Sequence, residues 1–300
     1  MTDLRLSTHG VDLDGTLRVL AMLPGDPTLR LSPGRLERAT HTPDGPGTIT
    51  AHWDNEADTV DVRTDGPGAE WLMSHAQELL GLADDDAANF EPTEGALRQL
   101  WRHHRGLRVP RTSTLWHDLC WLIVQQRIQR MDAARQWRQL VQSHGSAAPG
   151  GSELLLPPSK DRLAAIPSHE FHQLGIERRR ADTLRRAART TIDLHQLVDR
   201  PPLEATDLLE TIPGIGPWTT STLSVVTWGQ PDSVIVGDGG IPSLVSWMLT
   251  KQRTSTDQQM LAVLEPFRPH RYRVVQLAFA SGQRPPRRRP HPRRASIERY

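Results

Sequence analysis

The sequence predicts an α+β fold, in which an antiparallel β-rich N-terminal domain is followed by an all-α domain. Apolar and polar residues alternate in four short runs before residue 66, which is typical of strands with one buried face. Apolar residues then recur at helical spacing from residue 70 to about residue 280. A chain of 300 residues is long enough for two domains. We therefore predict domains at residues 1–88 and 89–282, followed by a disordered basic tail at 283–300.

The N-terminal domain is defined by its alternating runs. The sequence Asp-Gly-Pro-Gly at 44–47 predicts a turn between two of them. Short helices are expected at 13–23 and 70–82, and the acidic run at 84–86 is expected to form a solvated turn at the domain boundary. The predicted strands are Leu4–Thr8, Thr28–Leu31, Thr48–Trp53 and Thr59–Arg63.

The second domain is predicted to be helical throughout. Its helix over Ser113–Ile128 has almost no polar face, which predicts a buried, central position. A connector rich in Gly, Ser and Pro occupies 146–159, and Gly175 is expected to end a helix. The other predicted helices are Thr93–Arg105, Asp132–Ser143, Lys160–Ala165, Ser168–Leu174, Glu177–Thr191, Leu208–Ile212, Trp218–Trp228, Ser243–Leu249, Asp257–Leu264 and Arg271–Ala280.

Charge is distributed unevenly along the chain. Residues 1–90 contain 16 acidic residues and six arginines, whereas residues 91–300 contain 30 basic and 19 acidic residues. The basic region can attract a polyanion and the acidic region cannot. A lopsided solvated surface explains the same counts, so charge alone leaves both interpretations open. The last eighteen residues, with seven arginines and four prolines, have the composition of a disordered basic arm.

Composition also excludes several classes of site. The single cysteine, Cys120, excludes an internal disulfide, a cysteine-held iron–sulfur cluster and a cysteine-rich zinc site. The pairs His103-His104 and His169/His172 lack a third ligand at metal spacing and are predicted to be surface histidines. No run of 18 apolar residues occurs, so no membrane partner is expected. We expect a monomer in a bacterial-type cytosol, associated with the nucleoid.

The segment Pro213-Gly214-Ile215-Gly216 joins two short predicted helices. Its glycines allow a tight turn and a close approach to a ligand, and Pro217 suits the first position of the second helix. The start of that helix presents free N–H groups and a positive dipole end, which makes it a phosphate site without any special side chain. An ordinary packing joint between helices is the alternative.

Asp238 lies between glycines, just before another predicted helix. The glycines leave its carboxylate uncrowded, and the helix N-terminus favours the ionised form. This arrangement suits a catalytic carboxylate, but a helix-capping aspartate has the same local pattern.

Together these motifs resemble those of the helix-hairpin-helix superfamily of DNA base-excision glycosylases, and within it the 3-methyladenine glycosylases of type II. The resemblance covers about residues 1–282 and is most specific from 100 to 282. The segments that carry it are Pro213–Gly216 followed by Val236-Gly237-Asp238, Gly106–Pro110 followed by Ile123–Gln126, and Leu174-Gly175-Ile176 with Arg179-Arg180-Ala181.

The resemblance implies hydrolysis of the N-glycosidic bond of alkylated bases in double-stranded DNA, of the 3-methyladenine or 7-methylguanine type, to leave an abasic site. Asp238 would be the catalytic carboxylate, stabilising the positive sugar and orienting or deprotonating the attacking water. Trp218 stands where lyase-active relatives carry a nucleophilic lysine, and no lysine occurs from 161 to 250. A monofunctional glycosylase is therefore implied.

The resemblance also implies a base pocket with aromatic walls, because a cationic base is attracted to a π face. Trp218 corresponds to a pocket-wall tryptophan of the family, and Phe279 lies near a second aromatic position. Thr222 replaces an aromatic residue, which predicts a more open pocket. Core packing is the alternative for both Trp218 and Phe279.

The remaining implied residues contact DNA or a cation. Gln126 and the hairpin residues 213–216 are expected to bind DNA. Arg127 is expected to fill the gap that the flipped nucleotide leaves, with an exposed helix-end arginine as the alternative. No cofactor is expected apart from a monovalent cation at the hairpin, held by the backbone carbonyls of Glu210, Ile212 and Ile215.

Two other functions remain open at this point. One is a catalytically inactive protein of the same fold that binds damaged DNA. The other is a glycosylase for deaminated bases.

Overall fold

The computed structural model describes residues 2–93, 95–252 and 256–286, so the predicted tail lies outside the described residues from residue 287 onward. The predicted α+β class is confirmed, with an antiparallel N-terminal sheet followed by helices. The sheet has the order β1-β5-β4-β3-β2. Its strands are β1 (Thr2–Ser7), β2 (Leu29–Ser32), β3 (Arg35–Thr42), β4 (Gly45–Asp54) and β5 (Thr59–Asp65).

Strand β3 was not predicted, and the reason is its burial on both faces. Leu36 is buried, as expected for one face, but Glu37 and Arg38 beside it are also at most 5% exposed. Buried charged residues conceal the alternation on which strand prediction depends. The turn that follows is Pro43-Asp44 alone, because Thr42 pairs directly with Gly45 and its hydroxyl donates to the Gly45 carbonyl over 2.8 Å. The predicted turn at 44–47 therefore overlaps the observed one only at Asp44, because residues 45–47 belong to β4.

The helices beside the sheet are shorter than predicted. The region 13–23 contains α1 (Leu13–Thr16) and one 3₁₀ turn, and the region 70–82 is divided into α2 (Ala69–Ser74) and α3 (Ala76–Leu79). The division falls at His75, where the side chains of Ser74 and His75 both bond the Trp71 carbonyl over 2.8 Å. Such side-chain bonds compete with the helical ladder.

The second domain is built around one buried helix, α5 (Leu115–Gln125), as predicted. The other helices are α4 (Gly95–His103), α6 (Arg130–His144), α7 (Lys160–Ala165), α8 (Ser168–Gln173), α9 (Arg178–Arg189), α10 (Leu194–Leu197), α11 (Pro202–Glu210), α12 (Pro217–Val226), α13 (Ile241–Thr250), α14 (Asp257–Leu264) and α15 (Arg271–Ala280). Helix α5 packs against strand β3 and against α6, α9, α10 and α12. The predicted connector contains a short ladder of β6 (Ser146–Ala147) and β7 (Leu155–Leu156).

A buried ion pair joins the sheet to the helices. Arg38 of β3 donates to Asp118 of α5 over 3.1 Å, and both side chains are at most 4% exposed. Asp118 also accepts hydrogen bonds from Thr112 and, over 2.9 Å, from Thr227 at the end of α12. A buried charge is tolerated only when it is paired and hydrogen-bonded, and this network meets both conditions. It ties β3, α5 and α12 together.

A second buried pair corrects the prediction for the acidic run at 84–86. Asp84 is not solvated, because Arg273 of α15 bonds its carboxylate bidentately at 2.5 and 2.6 Å, and the two side chains are 9% and 1% exposed. Asp85 and Asp86 are exposed, as expected. A run of like charges does not reveal which member faces a partner from 189 residues away. Across the described ranges, the helices are too short or too polar to cross a membrane.

Candidate active-site cleft

A cleft of about 1470 Å³ lies between the glycine hairpin, the loop before α13, helix α15 and the N-terminal segment 12–22. It brings together most of the residues that the sequence singled out. Those predicted residues that line the cleft are Gln126, Arg127, Gly214, Gly216, Trp218, Thr222, Asp238 and Phe279. Four other predicted residues are not among the described residues that line the cleft: Glu210, Ile212, Pro213 and Ile215.

The hairpin between α11 and α12 depends on its two glycines for different reasons. Gly214 has φ +103°, and a Cβ there would overlap the Thr183 side chain of α9, so only glycine fits. Gly216 has an extended backbone, and the position of its Cβ has no atom of the protein within 4 Å. Gly216 therefore leaves open space where α12 begins. No side chain of the described residues caps this helix start, which suits it to an anion.

Gln126 fastens the hairpin to the end of α5. Its amide nitrogen donates to the Gly214 carbonyl and to the Thr219 hydroxyl, both over 3.0 Å. These two bonds hold the loop and the first turn of α12 in a fixed relation. Gln126 thus positions the hairpin, and its direct contact with DNA stays a prediction.

Asp238 uses its two carboxylate oxygens differently. Oδ1 accepts hydrogen bonds from the backbone N–H groups of Gly240 and Ile241, at 2.8 and 3.0 Å, and so caps α13. Oδ2 accepts from the indole N–H of Trp218 over 3.4 Å, and both residues line the cleft. Asp238 therefore caps α13 and also lines the cleft, and its catalytic role stays a prediction. The cap fixes the carboxylate in place and leaves one oxygen available.

The loop that carries Asp238 is also fixed from its other end. The backbone N–H of Gly237 donates to Oδ2 of Asp257, at the start of α14, over 2.8 Å. Gly237 has φ +75°, a conformation that favours glycine. The catalytic candidate is thus held on a short segment bonded at both ends, as a preorganised site requires.

Two of the predicted pocket residues present aromatic surface. Trp218 is half-buried and packs against the core while it lines the cleft. Phe279 is 48% exposed and lines the cleft from α15, so core packing does not account for it. Thr222 is buried and its hydroxyl donates to the Trp218 carbonyl over 2.7 Å, so that hydroxyl is engaged within α12.

Sequence reasoning missed Tyr272 and Gln276. Both line the cleft from the same face of α15 as Phe279, at positions i, i+4 and i+7. Tyr272 is only 4% exposed, and burial raises the pKa of its hydroxyl, so the ring is neutral. The helical spacing of these three residues was the available signal.

Arg127 follows the last turn of α5 with φ +59°, a left-handed conformation that is uncommon for a non-glycine residue. Its side chain is exposed at the cleft and has no hydrogen bond or ion pair to any residue that the structure describes. Arg127 is therefore free to extend toward a ligand. Its role as the wedge stays a prediction.

The hairpin carbonyls suit the expected monovalent cation in chemical type, because neutral oxygen ligands match a hard ion. The Ile212 carbonyl accepts a bond from the Ile215 N–H over 3.0 Å, which leaves it a second lone pair. The Glu210 carboxylate accepts a hydrogen bond from the Thr220 hydroxyl over 2.6 Å, through Oε1. No group of three or more His, Cys, Asp or Glu side chains suited to a metal occurs in the part of the chain that is described.

No protein-family model matches the chain, but one curated protein and several solved structures are similar to it. The chain is 25% identical over 244 residues to DNA-3-methyladenine glycosylase 2 of Escherichia coli K12. The aligned region covers 80% of this chain and 83% of that protein. The solved 3-methyladenine DNA glycosylase of Archaeoglobus fulgidus superposes with a TM-score of 0.77 at 20% identity, over 94% of this chain and 98% of that one.

A third comparison concerns a structure solved with DNA. The 8-oxoguanine glycosylase/lyase of Clostridium acetobutylicum, in complex with double-stranded DNA containing 8-oxoguanine opposite cytosine, superposes with a TM-score of 0.68 at 13% identity, over 91% of each chain. The predicted resemblance is thereby confirmed. The chain has the fold of the helix-hairpin-helix DNA glycosylases and is similar in sequence to a 3-methyladenine glycosylase over four fifths of its length.

Proposed function

We propose that this protein is a base-excision DNA glycosylase that removes alkylated bases, of the 3-methyladenine or 7-methylguanine type, from double-stranded DNA. One observation carries the proposal. Asp238 lines a cleft of nucleotide-accommodating size, where its carboxylate is hydrogen-bonded to the indole of Trp218, next to a helix start suited to phosphate. The site of action would be chromosomal DNA in a bacterial cytoplasm, with the protein as a monomer.

In the proposed reaction the damaged nucleotide leaves the base stack and enters the cleft. Extrusion costs a few kcal/mol, and least for a damaged pair. Alkylation makes the purine cationic, and the exposed faces of Trp218 and Phe279 attract it, with about 0.5–2 kcal/mol for each good contact. Arg127 would occupy the gap that the nucleotide leaves in the duplex.

Bond cleavage then needs little acid catalysis. The C1′–N bond breaks, the base departs with the electron pair and becomes neutral, and the positive charge passes to the deoxyribose. Oδ2 of Asp238 stabilises that charge electrostatically. Water adds to C1′ and loses a proton to the carboxylate or to solvent, which leaves an abasic site.

The chain's lysines support a monofunctional enzyme. Lys160 and Lys251 are the only two in the sequence, and neither is among the described residues that line the cleft. A lyase mechanism by way of a Schiff base needs an amine at the reacting carbon. A monovalent cation on the carbonyls of Glu210, Ile212 and Ile215, next to a DNA phosphate, remains part of the proposal.

The test is release of free base from methylated duplex DNA. Wild-type protein should liberate 3-methyladenine or 7-methylguanine, detected by chromatography, and leave abasic sites without strand cleavage. A protein that binds this DNA and releases no base from it would be a damage-binding protein of the same fold.

A glycosylase for deaminated bases is the second candidate, and one amide side chain favours it. Gln125 lines the cleft, and its buried amide nitrogen has no hydrogen-bond partner within the described protein, whereas the amide nitrogen of Gln276 donates to the Arg108 carbonyl over 2.7 Å. An amide can form hydrogen bonds with the edge of a neutral base. Cation–π attraction does not favour such a base, because the base carries no positive charge. Duplex substrates that contain hypoxanthine, xanthine or uracil distinguish the two candidates, because a glycosylase for alkylated bases should release none of these three.

A further inference from the structure

A second groove, of about 770 Å³, borders the hairpin apart from the cleft. Among described residues the two share no lining residue: Gly214 and Gly216 line the cleft, whereas Pro213 lines this groove. We call it the arginine groove. The residues that define it here are Asp182, Arg185, Arg186 and Arg189 of α9, with Thr211 and Pro213 of the hairpin.

The groove is strongly basic because one face of α9 supplies its wall. Residues 182, 185, 186 and 189 follow helical spacing and therefore lie on one side of the helix. The single carboxylate, Asp182, is engaged by Arg185 over 2.7 Å. Arg186 and Arg189 are exposed and form no ion pair with any described residue. Two guanidinium groups beside the hairpin thus have no ion-pair partner within the described protein.

Backbone contacts hold these two guanidinium groups in place. Arg186 donates to the Pro213 carbonyl over 3.3 Å, and Arg189 donates to the Ala164 carbonyl over 2.7 Å. Each guanidinium has five N–H donors, so most of them remain unused. A planar fork that is already anchored loses little freedom when it binds a phosphate bidentately.

We infer that the arginine groove binds phosphates of the DNA backbone next to those held by the hairpin, an inference that rests on the proposed function. Two features identify the ligand. The groove has uncompensated guanidinium groups matched to phosphate, and it is continuous with the hairpin, whose helix start suits the same group. The groove lies outside the cleft, so it contributes to DNA affinity and to its salt dependence, and not to cleavage of the glycosidic bond.

The experiment compares two double variants of equal charge change. R186Q/R189Q removes the free groove charges, and R5Q/R63Q removes two exposed arginines of the N-terminal sheet. Affinity for a duplex with a non-cleavable abasic analogue is measured from 50 to 200 mM KCl, after thermal unfolding has shown that each variant is folded. Each phosphate contact contributes about 0.9 to the slope of log K against log [KCl].

For R186Q/R189Q we expect the slope to fall in magnitude by about 2 and the affinity at 100 mM KCl to weaken about tenfold or more. R5Q/R63Q should keep the wild-type slope. Shortening the duplex arm on the groove side should weaken wild-type binding and leave R186Q/R189Q unaffected. An unchanged slope for R186Q/R189Q overturns the inference. A reduced slope also overturns it if shortening either duplex arm weakens the binding of wild type and of R186Q/R189Q equally.

Measuring the rate of base excision distinguishes a failure of the groove assignment from a failure of the proposed function. With saturating enzyme, R186Q/R189Q should release methylated bases at the wild-type single-turnover rate within about twofold, whereas a large loss of this rate contradicts a groove that only binds. A wild-type protein that releases no base while its slope still depends on Arg186 and Arg189 refutes the proposed function and leaves the groove assignment standing.

Discussion

The indole N–H of Trp218, in the first turn of α12, donates a hydrogen bond over 3.4 Å to the Asp238 oxygen that is not used to cap α13. This bond links the helix that follows the hairpin to the loop that carries the carboxylate. The helix start proposed to bind phosphate and the carboxylate proposed to react are therefore connected by a hydrogen bond within the protein itself.

This bond predicts separate effects for the ring and the N–H of Trp218. W218F keeps an aromatic face and loses the donor, so single-turnover excision should fall about tenfold while DNA affinity stays within twofold. W218A also loses the face that attracts the cationic base, so both excision and affinity for damaged duplex should fall further. An equal rate for W218F and wild type would show that the hydrogen bond does not orient Asp238.

Arg127 predicts a defect in base flipping. R127A should lower the single-turnover rate about tenfold, because the unstacked state loses the side chain that fills the gap. A fluorescent base placed opposite the lesion should report less unstacking on binding. The control is R102A, which removes an exposed arginine of α4 that does not line the cleft. Identical behaviour of the two variants would remove Arg127 as the wedge.

The Arg38–Asp118 pair predicts strong coupling in stability. Removing one partner leaves a buried charge unpaired, so R38M or D118N alone should lower the free energy of unfolding by about 3–5 kcal/mol. R38M/D118N removes both charges and should be less destabilised than the sum of the single changes. Urea unfolding measures the cycle. Additive effects would mean that the buried contact contributes no net coupling.

The buried His117 predicts a pH effect on stability. Burial, and then the adjacent Arg38, hold the pKa of His117 well below its usual 6.5. Arg38 can only donate, so the Nδ1 that it approaches at 3.3 Å is an acceptor and the ring is neutral. The unfolded chain therefore binds the proton more readily than the folded chain does. Stability from this group is complete above pH 6.5 and is lost as the pH falls below it.

The matching measurement is the thermal unfolding midpoint of wild type and H117N from pH 7.5 to pH 5. H117N should be less stable at pH 7.5 and should lose less stability on acidification. The other histidines are present in both proteins and cancel in the comparison. Parallel curves would show that His117 does not titrate between the folded and unfolded states.

Local patterns were enough to predict the parts of the fold that are periodic. The alternating runs around Leu4 and Val60 became strands, and the apolar helix around Leu119 became the centre of the second domain. Strand β3 and the pairing of Asp84 with Arg273 were not predictable in this way. Both depend on charged side chains that are buried by residues distant in sequence, and a local pattern carries no information about such partners.

The same distinction between local patterns and distant partners applies to the candidate site. The hairpin and Asp238 were recognisable because their glycines mark backbone positions, which are visible in sequence. The positions of Tyr272 and Gln276 on the cleft, and the division of labour between the two oxygens of Asp238, depend on packing between α12, α13 and α15. Such packing is a property of the three-dimensional structure alone.

The most direct test of the account is the paired measurement of excision and DNA binding for D238N. The amide keeps an oxygen that can cap α13 and removes the negative charge that is proposed to stabilise the sugar cation. We predict that release of methylated base falls at least a thousandfold, about 4 kcal/mol, while affinity for damaged duplex stays within a few fold. Near-wild-type release by D238N would contradict the account, because the carboxylate charge would then have no part in the reaction.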